Sequence, residues 1–164
     1  MVKRYILNQS EAHLKLQRMA LQILERNTQA RKIVLAGIAP NGSLMAGKLQ
    51  QLLQNKGDFI VEMQEIILNK RLPEEVAVVP ELNLEGAVVI IVDDVANSGR
   101  TLTYALKPFL NHHPYSIQTL VLVDRTHKKF PIQPDYVGFS LASTLEEYID
   151  LDIEDGEIKG AWMQ

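Results

Sequence analysis

Residues 88–101 read VVIIVDDVANSGRT: an unbroken β-branched run, two adjacent carboxylates, then a short stretch of small and polar residues. A continuous apolar run, without polar alternation, belongs to a strand buried on both faces of a parallel α/β sheet. Such a strand delivers Asp93 and Asp94 to its carboxyl end, and residues 95–101 form a loop that opens a helix. Successive backbone N–H groups of that loop can surround an anion, helped by the Ser98 and Thr101 hydroxyls, while paired carboxylates accept hydrogen bonds from sugar hydroxyls. One phosphorylated sugar satisfies both halves. The plainer alternative is a strand whose terminal acids only cap the next helix. No G-x-x-x-x-G-K-[ST] run occurs and no G-x-G-x-x-G follows a strand, so kinase-like and dinucleotide readings fall away.

The flanking pattern repeats the strand-then-helix order. Leu16, Met19, Ala20, Ile23 and Leu24 recur at helical spacing within residues 10–27, with Ser10 as the expected N-cap and Glu11 beside it. KIVLAG at 32–37 reads as a short buried strand, and 42–56 as a helix that turns Leu44, Leu49, Leu52 and Leu53 to the sheet and stops at Gly57. Residues 59–68 and 76–79 read as the arms of a hairpin whose polar tip is 69–75. Residues 101–110 read as a helix, 116–123 and 136–140 as strands, and 147–153 as a strand in which Ile149, Leu151 and Ile153 alternate with polar residues. The whole is an α/β chain with a mostly parallel, doubly wound sheet flanked by helices.

Composition narrows the chemistry. At 164 residues the chain is one domain by length, large enough to bury about two-thirds of its unfolded surface. It has no cysteine, which excludes disulfides, thiolate metal sites and a cysteine nucleophile. No leader-like segment opens it and no apolar run approaches the roughly 18 residues of a membrane span, so a cytoplasmic protein without membrane contact is expected. A net charge of −3 gives no overall basic field for nucleic acid. His112 and His113 precede Pro114 without spacing that would aim both rings at one metal, and His127 reads as a solvated loop residue. The acid-rich stretch 146–157 reads as a charged edge strand rather than a metal site, and Trp162 as a residue that packs the terminus.

A second loop, LAGIAPNGSL at 35–44, also lies between a buried strand and a helix and can offer amides to a second anion. Pro and Gly punctuation of an ordinary turn accounts for it equally well.

The run of apolar residues, Asp93-Asp94, Gly99 and Thr101 resembles the phosphoribosyl-pyrophosphate (PRPP) motif of the type I phosphoribosyltransferases. VLVDRTHKKFPIQPDYVG at 121–138 is similar to a segment of the bacterial pyrimidine-operon attenuators that are also uracil phosphoribosyltransferases, and ILERN at 23–27 and the G-I-x-x-x-G loop at 37–42 continue that likeness in register. The resemblance spans most of the chain. It implies a type I phosphoribosyltransferase fold for residues 1–164 as a single domain, with a flexible hairpin flap and a small hood.

It also implies a reaction: transfer of the phosphoribosyl group of PRPP to a nitrogenous base, uracil or a related pyrimidine, with release of pyrophosphate and with Mg2+ bound mainly through PRPP. In that picture Asp93 and Asp94 are the catalytic pair that holds ribose hydroxyls, and Ala96, Asn97, Ser98, Gly99, Arg100 and Thr101 hold the 5′-phosphate. Ile38, Ala39, Pro40, Asn41 and Gly42 face pyrophosphate, with Lys70 and Arg71 on the flap as candidates for the same ligand. The basic residue usual in the pyrophosphate loop is missing, and Ala39-Pro40 is expected to be cis or tightly bent. Asp124 and Arg125 are either base contacts or an ion pair at the sheet end. PRPP and a nucleobase are the expected partners and a homo-oligomer, a dimer, the expected assembly. Two other readings remain: an RNA-binding attenuator with a nucleotide effector, and a PRPP or nucleotide sensor without catalysis.

Overall fold

The computed structural model describes residues 2–142 and 147–164. Six strands form one sheet in the order β4-β3-β2-β5-β6-β7, where β2 is Lys32–Ile38, β3 Ile60–Leu68, β4 Val76–Val79, β5 Val88–Ala96, β6 Ser116–Arg125 and β7 Tyr136–Leu141. All pairings are parallel except β3 with β4, the predicted hairpin, in which Ile67 faces Ala77. Every residue of β5 is buried, as its uninterrupted apolar run requires, and its side chains alternate between two cores. Val88, Ile90 and Val92 pack with α1 (Gln9–Arg26) and α2 (Asn41–Leu53), while Val89 and Ile91 pack with α3 (Arg100–Ala105) and the 3₁₀ turn Lys107–Phe109. The type I phosphoribosyltransferase fold expected from the sequence is the fold observed.

A second, three-stranded antiparallel sheet, β1-β9-β8, is made from both ends of the chain: β1 is Arg4–Asn8, β8 Ile149–Glu154 and β9 Glu157–Met163. It rests on α1 through β9, and β8 approaches the carboxyl end of β5. Strands β1 and β9 escape a reading of single runs because each is short and irregular: the β1 register shifts between Tyr5 and Leu7, and Gly160 interrupts β9. Trp162 lies in β9, with Lys3 over its ring. The acid-rich stretch does form an edge strand, β8, although Glu146 lies outside the described residues.

Three boundaries differ from expectation, each for a local reason. Asn8, not Ser10, caps α1, because its side chain accepts the Glu11 N–H at 2.9 Å while the Glu11 carboxylate accepts the Asn8 N–H at 2.9 Å. Helix α2 stops at Leu53 rather than running to Lys56, and the chain turns at Asn55 with φ +60°, before Gly57. The predicted helix 101–110 is divided, because Pro108 fits only a fresh first turn and the chain tightens to 3₁₀ at Lys107.

Candidate active site

The chain runs from β2 outward to β3 and then returns to place β5 on the other side of β2. The helices that follow obey the same reversal, since α2 lies on one face of the sheet and α3 on the other. The crevice at the carboxyl ends of β2 and β5 is therefore a topological switch point, where open α/β sheets bind ligands. The loop after β2 carries Ala39 and Pro40; the loop after β5 carries Asn97, Ser98 and Gly99. Both loops singled out in the sequence flank this crevice.

Asp93 and Asp94 lie near the carboxyl end of β5, buried at 1% and 6% exposure. The Asp93 Oδ1 accepts the Asp94 N–H at 2.9 Å and lies 3.2 Å from the Lys70 ammonium, which is also 3.6 Å from Asp94 Oδ1. Asp94 is held at both oxygens: Val95 N–H donates to Oδ1 and the Asn41 side-chain amide donates to Oδ2, each at 2.8 Å. The two carboxyls consequently differ. Burial and the neighbouring Asp94 charge push Asp93 well above the usual carboxylate range. Burial also acts on Asp94, but Lys70, a proton on Asp93, the Asn41 amide and the Val95 amide outweigh it and hold Asp94 below that range. Burial alone would lower Lys70; the attraction of Asp93 and Asp94 outweighs it and raises the ammonium. The pair is thus unequal, with the higher proton affinity on Asp93.

The loop after β5 is shaped by Gly99, the N-cap of α3, at φ +85°, where an added Cβ would meet Ile132 Cγ2 at 2.8 Å. Residues 128–132 buttress it, with Lys129 N–H and Phe130 N–H both donating to the Ser98 carbonyl at 2.9 and 3.1 Å. The Ser98 hydroxyl accepts the Arg100 N–H at 3.3 Å. A cavity of about 110 Å³ lies along residues 93–102 and is closed by Lys70 and by Tyr148, Ile149 and Asp150 of the smaller sheet.

In the loop after β2, the Ala39-Pro40 bond is cis, as the sequence suggested. The Ala39 N–H donates to the Ile66 carbonyl at 2.9 Å and is thereby engaged inside the protein. Gly42 is a contact glycine: a Cβ there would lie 2.2 Å from the Val92 carbonyl oxygen, and one at Gly37 would lie 2.5 Å from the Ser43 Cα. Ile38 is buried at the end of β2. The first N–H groups of α2 face the crevice end of the sheet and have no partner within the helix.

The remaining candidates are distributed unevenly. Lys70 reaches the acid pair, whereas Arg71 is exposed and its N–H only closes the turn onto Asn69 Oδ1 at 3.0 Å. Asp124 sits in β6 beside Ala96 and Arg125 follows it, yet neither lines the cavity. Asp124 is paired with Lys128, and Arg125 donates to Asn97 Oδ1 at 3.1 Å. Lys128 was invisible as a functional residue because a lysine after a strand reads as solvated surface. Tyr148 and Asp150 were read only as positions in a strand, since nothing local connects residue 150 with residue 93. His112, His113 and His127 are exposed. Among the described residues no cluster of three or more acids and imidazoles could ligate a metal, and no helix is long and apolar enough to cross a membrane.

The DYVG and ILERN segments meet at the opposite, amino end of the sheet. Asn27 donates to Gln118 and Tyr136, Tyr136 donates to Gln118 at 2.6 Å, and Arg26 pairs with Asp135 at 3.0 Å. That half of the recognised pattern therefore builds the fold rather than the crevice.

Residues 5–152 match the family model described as a phosphoribosyl transferase domain. The chain belongs to the type I phosphoribosyltransferase family. Curated relatives of this phosphoribosyltransferase-family chain include the bifunctional protein PyrR of Streptococcus thermophilus, 31% identical over 92% of this chain and 90% of that one. PyrR of Streptococcus pneumoniae is 33% identical over 84% and 83%. Among solved structures, the hypoxanthine phosphoribosyltransferase of Trypanosoma cruzi superposes with a TM-score of 0.79 at 19% identity, covering 98% and 95% of the two chains. A hypoxanthine-guanine phosphoribosyltransferase of Bacillus anthracis superposes with a TM-score of 0.71 at 23% identity, covering 91% and 87%.

Proposed function

We propose that residues 1–164 act as one cytoplasmic phosphoribosyltransferase domain that replaces the pyrophosphate of PRPP with a pyrimidine, uracil first among them. The observation that carries this reading is the buried Asp93-Asp94 pair at the switch-point crevice, followed at once by the Gly99 loop. Asp93 and Asp94 accept the ribose hydroxyls, and the N–H groups and hydroxyls of Ala96 to Thr101 hold the 5′-phosphate. The opening N–H groups of α2, from Asn41 and Gly42 onward, face the pyrophosphate, since that of Ala39 is spent on Ile66. Arg71 and Lys70, on the loop between β3 and β4, close over it, with Lys70 moving from the acids to the leaving group.

Departure of pyrophosphate leaves positive charge on the sugar. The ionised Asp94 stabilises that charge, and closure of the loop excludes water that would intercept it. A Mg2+ ion held mainly through PRPP would neutralise charge on the leaving pyrophosphate, and Asp93 and Asp94 are the carboxylates that could meet it, since one or two carboxylates with water suffice for such an ion. Asp124 and Arg125, at the end of β6 beside Ala96, are the base contacts of this reading, although neither lines the cavity itself.

Pyrophosphate release from PRPP and magnesium, measured with uracil, hypoxanthine and guanine, tests the reading. Uracil should be the fastest acceptor. A faster purine would overturn the choice of base and keep the reaction; no release with any base would leave a nucleotide sensor. The bifunctional name of the curated relatives favours a second activity, binding of RNA with a nucleotide as effector. Retention of RNA that weakens steeply with salt would support it.

A further inference from the structure

We propose that the Asn41 side chain positions the acid pair and is not itself a ligand of pyrophosphate, which meets only the backbone N–H there: the side chain fastens the loop after β2 to Asp94 and so sets the carboxylate that receives the ribose hydroxyls. The inference rests on the phosphoribosyl reading above and assigns a different role to one residue of it. Asn41 Nδ2 donates to Asp94 Oδ2 at 2.8 Å while Val95 N–H holds Oδ1 at 2.8 Å, so the carboxylate is pinned at both ends and cannot rotate about its own axis. One N–H of the Asn41 amide is committed to the carboxylate, and the amide carries no charge to draw an incoming anion.

The backbone keeps this contact in place. Gly42, the next residue, is pressed so closely on β5 that a Cβ would lie 2.2 Å from the Val92 carbonyl, two residues before Asp94. The Ser43 hydroxyl donates to the Gly37 carbonyl at 3.1 Å and locks the same turn to β2. The start of α2 therefore cannot slide without moving the strand that carries the acids. The choice of a neutral amide matters as well. An arginine or lysine at position 41 would pair with Asp94, whereas among the described residues the ammonium on the pair is that of the half-exposed Lys70, on a separate loop. Asparagine orients Asp94 and preserves its charge for the substrate.

Ribose 5-phosphate and magnesium pyrophosphate, titrated separately by calorimetry, distinguish the two roles, because only the first meets the acid pair. Asn41→Ala should weaken ribose 5-phosphate about tenfold, the loss expected for one hydrogen bond to a charged group, and leave pyrophosphate within about twofold. In an Asp94→Ala background the same substitution should have no further effect on ribose 5-phosphate, since its target is gone. The isosteric Asn41→Asp serves where alanine perturbs folding: it should weaken ribose 5-phosphate more than alanine does, by repulsion of Asp94, and regain affinity as pH falls. Loss of pyrophosphate binding with ribose 5-phosphate unchanged would make Asn41 a direct ligand and overturn the proposal, as would additive effects in the double mutant or no effect on either ligand. A wild-type protein that binds neither ligand would overturn the phosphoribosyl reading itself, and this role with it.

Discussion

The two ends of the six-stranded sheet each bury a polar cluster, and the clusters are built on opposite principles. At the amino end Asn27, Gln118 and Tyr136 are neutral and close on one another: Asn27 Nδ2 also bonds the Ile23 carbonyl at 2.9 Å, and Gln118 Nε2 returns to Asn27 Oδ1 at 2.8 Å. Every partner there is held by a helix or a strand. At the carboxyl end two carboxylates lie side by side, Asp93 with its proton affinity raised by burial and by Asp94, and the compensating ammonium is on an exposed loop residue. A satisfied neutral network specifies packing; a charged one whose counter-ion can depart is prepared to exchange it for a ligand. Both clusters are tied to α-helical termini, α1 at one end and α2 at the other, so helix position alone does not distinguish them.

The largest effect should come from the amino end. Asn27→Leu removes the Asn27 bonds to Gln118 and Tyr136, which keep their bond to each other, and should cost about 3 kcal/mol in urea unfolding, with turnover per folded molecule unchanged. A stable variant with lost turnover would erase the distinction between the ends. At the carboxyl end the consequence reverses. Asp94→Ala should weaken PRPP by at least about 1 kcal/mol in calorimetry, rising to about 3 kcal/mol with Asp93→Ala, and lower stability far less than Asn27→Leu does. Unchanged PRPP affinity in the double variant would remove the acid pair from the site.

The difference between the ends also decided what could be read in advance. The sheet was legible because β5 and β6 are apolar on both faces, which only a covered parallel sheet permits, and the acid pair was legible because carboxylates after such a run have no packing role. Residues of the amino-end network entered the reading only as parts of segments that carry the likeness to relatives; Asp135 and Tyr136 carry no local sign of which end of the sheet they occupy. Asn41 shows the reverse case. Its loop was visible, but its partner lies 53 residues away across a strand reversal, and no spacing rule connects an asparagine to that carboxylate. The smaller sheet was half legible for the same reason: β8 alternates cleanly, whereas β1 and β9 acquire their strand character by pairing with each other across nearly the whole chain.

The smallest effect is a slope, and it tests the raised proton affinity of Asp93 directly. Asp93 titrates above the ordinary carboxylate range in the folded protein, so between its unfolded and folded values the native state binds more protons than the unfolded chain. Stability must then fall as pH rises through that interval, by at most about 1.4 kcal/mol per pH unit for one proton. Asp94 acts with the opposite sign: held below the usual range, it contributes stability above its unfolded value and loses that contribution as pH falls through its folded one. Lys70, raised above its ordinary value, keeps its contribution through neutrality and loses it only in strong alkali. The falling limb near neutrality therefore belongs to Asp93 alone among the three. Asp93→Asn preserves the shape and a donor toward Asp94 but cannot ionise, so urea midpoints measured from about pH 5 to about pH 8 should decline less steeply than those of the wild type. The amino-end variant Asn27→Leu, which touches no titrating carboxylate of this pair, should keep the wild-type slope at a lower stability. Parallel curves for wild type and Asp93→Asn would mean that both carboxyls are ionised in the resting protein, with Lys70 alone balancing them, and the contrast between a neutral end and an unequal acid pair would have to be redrawn around that lysine.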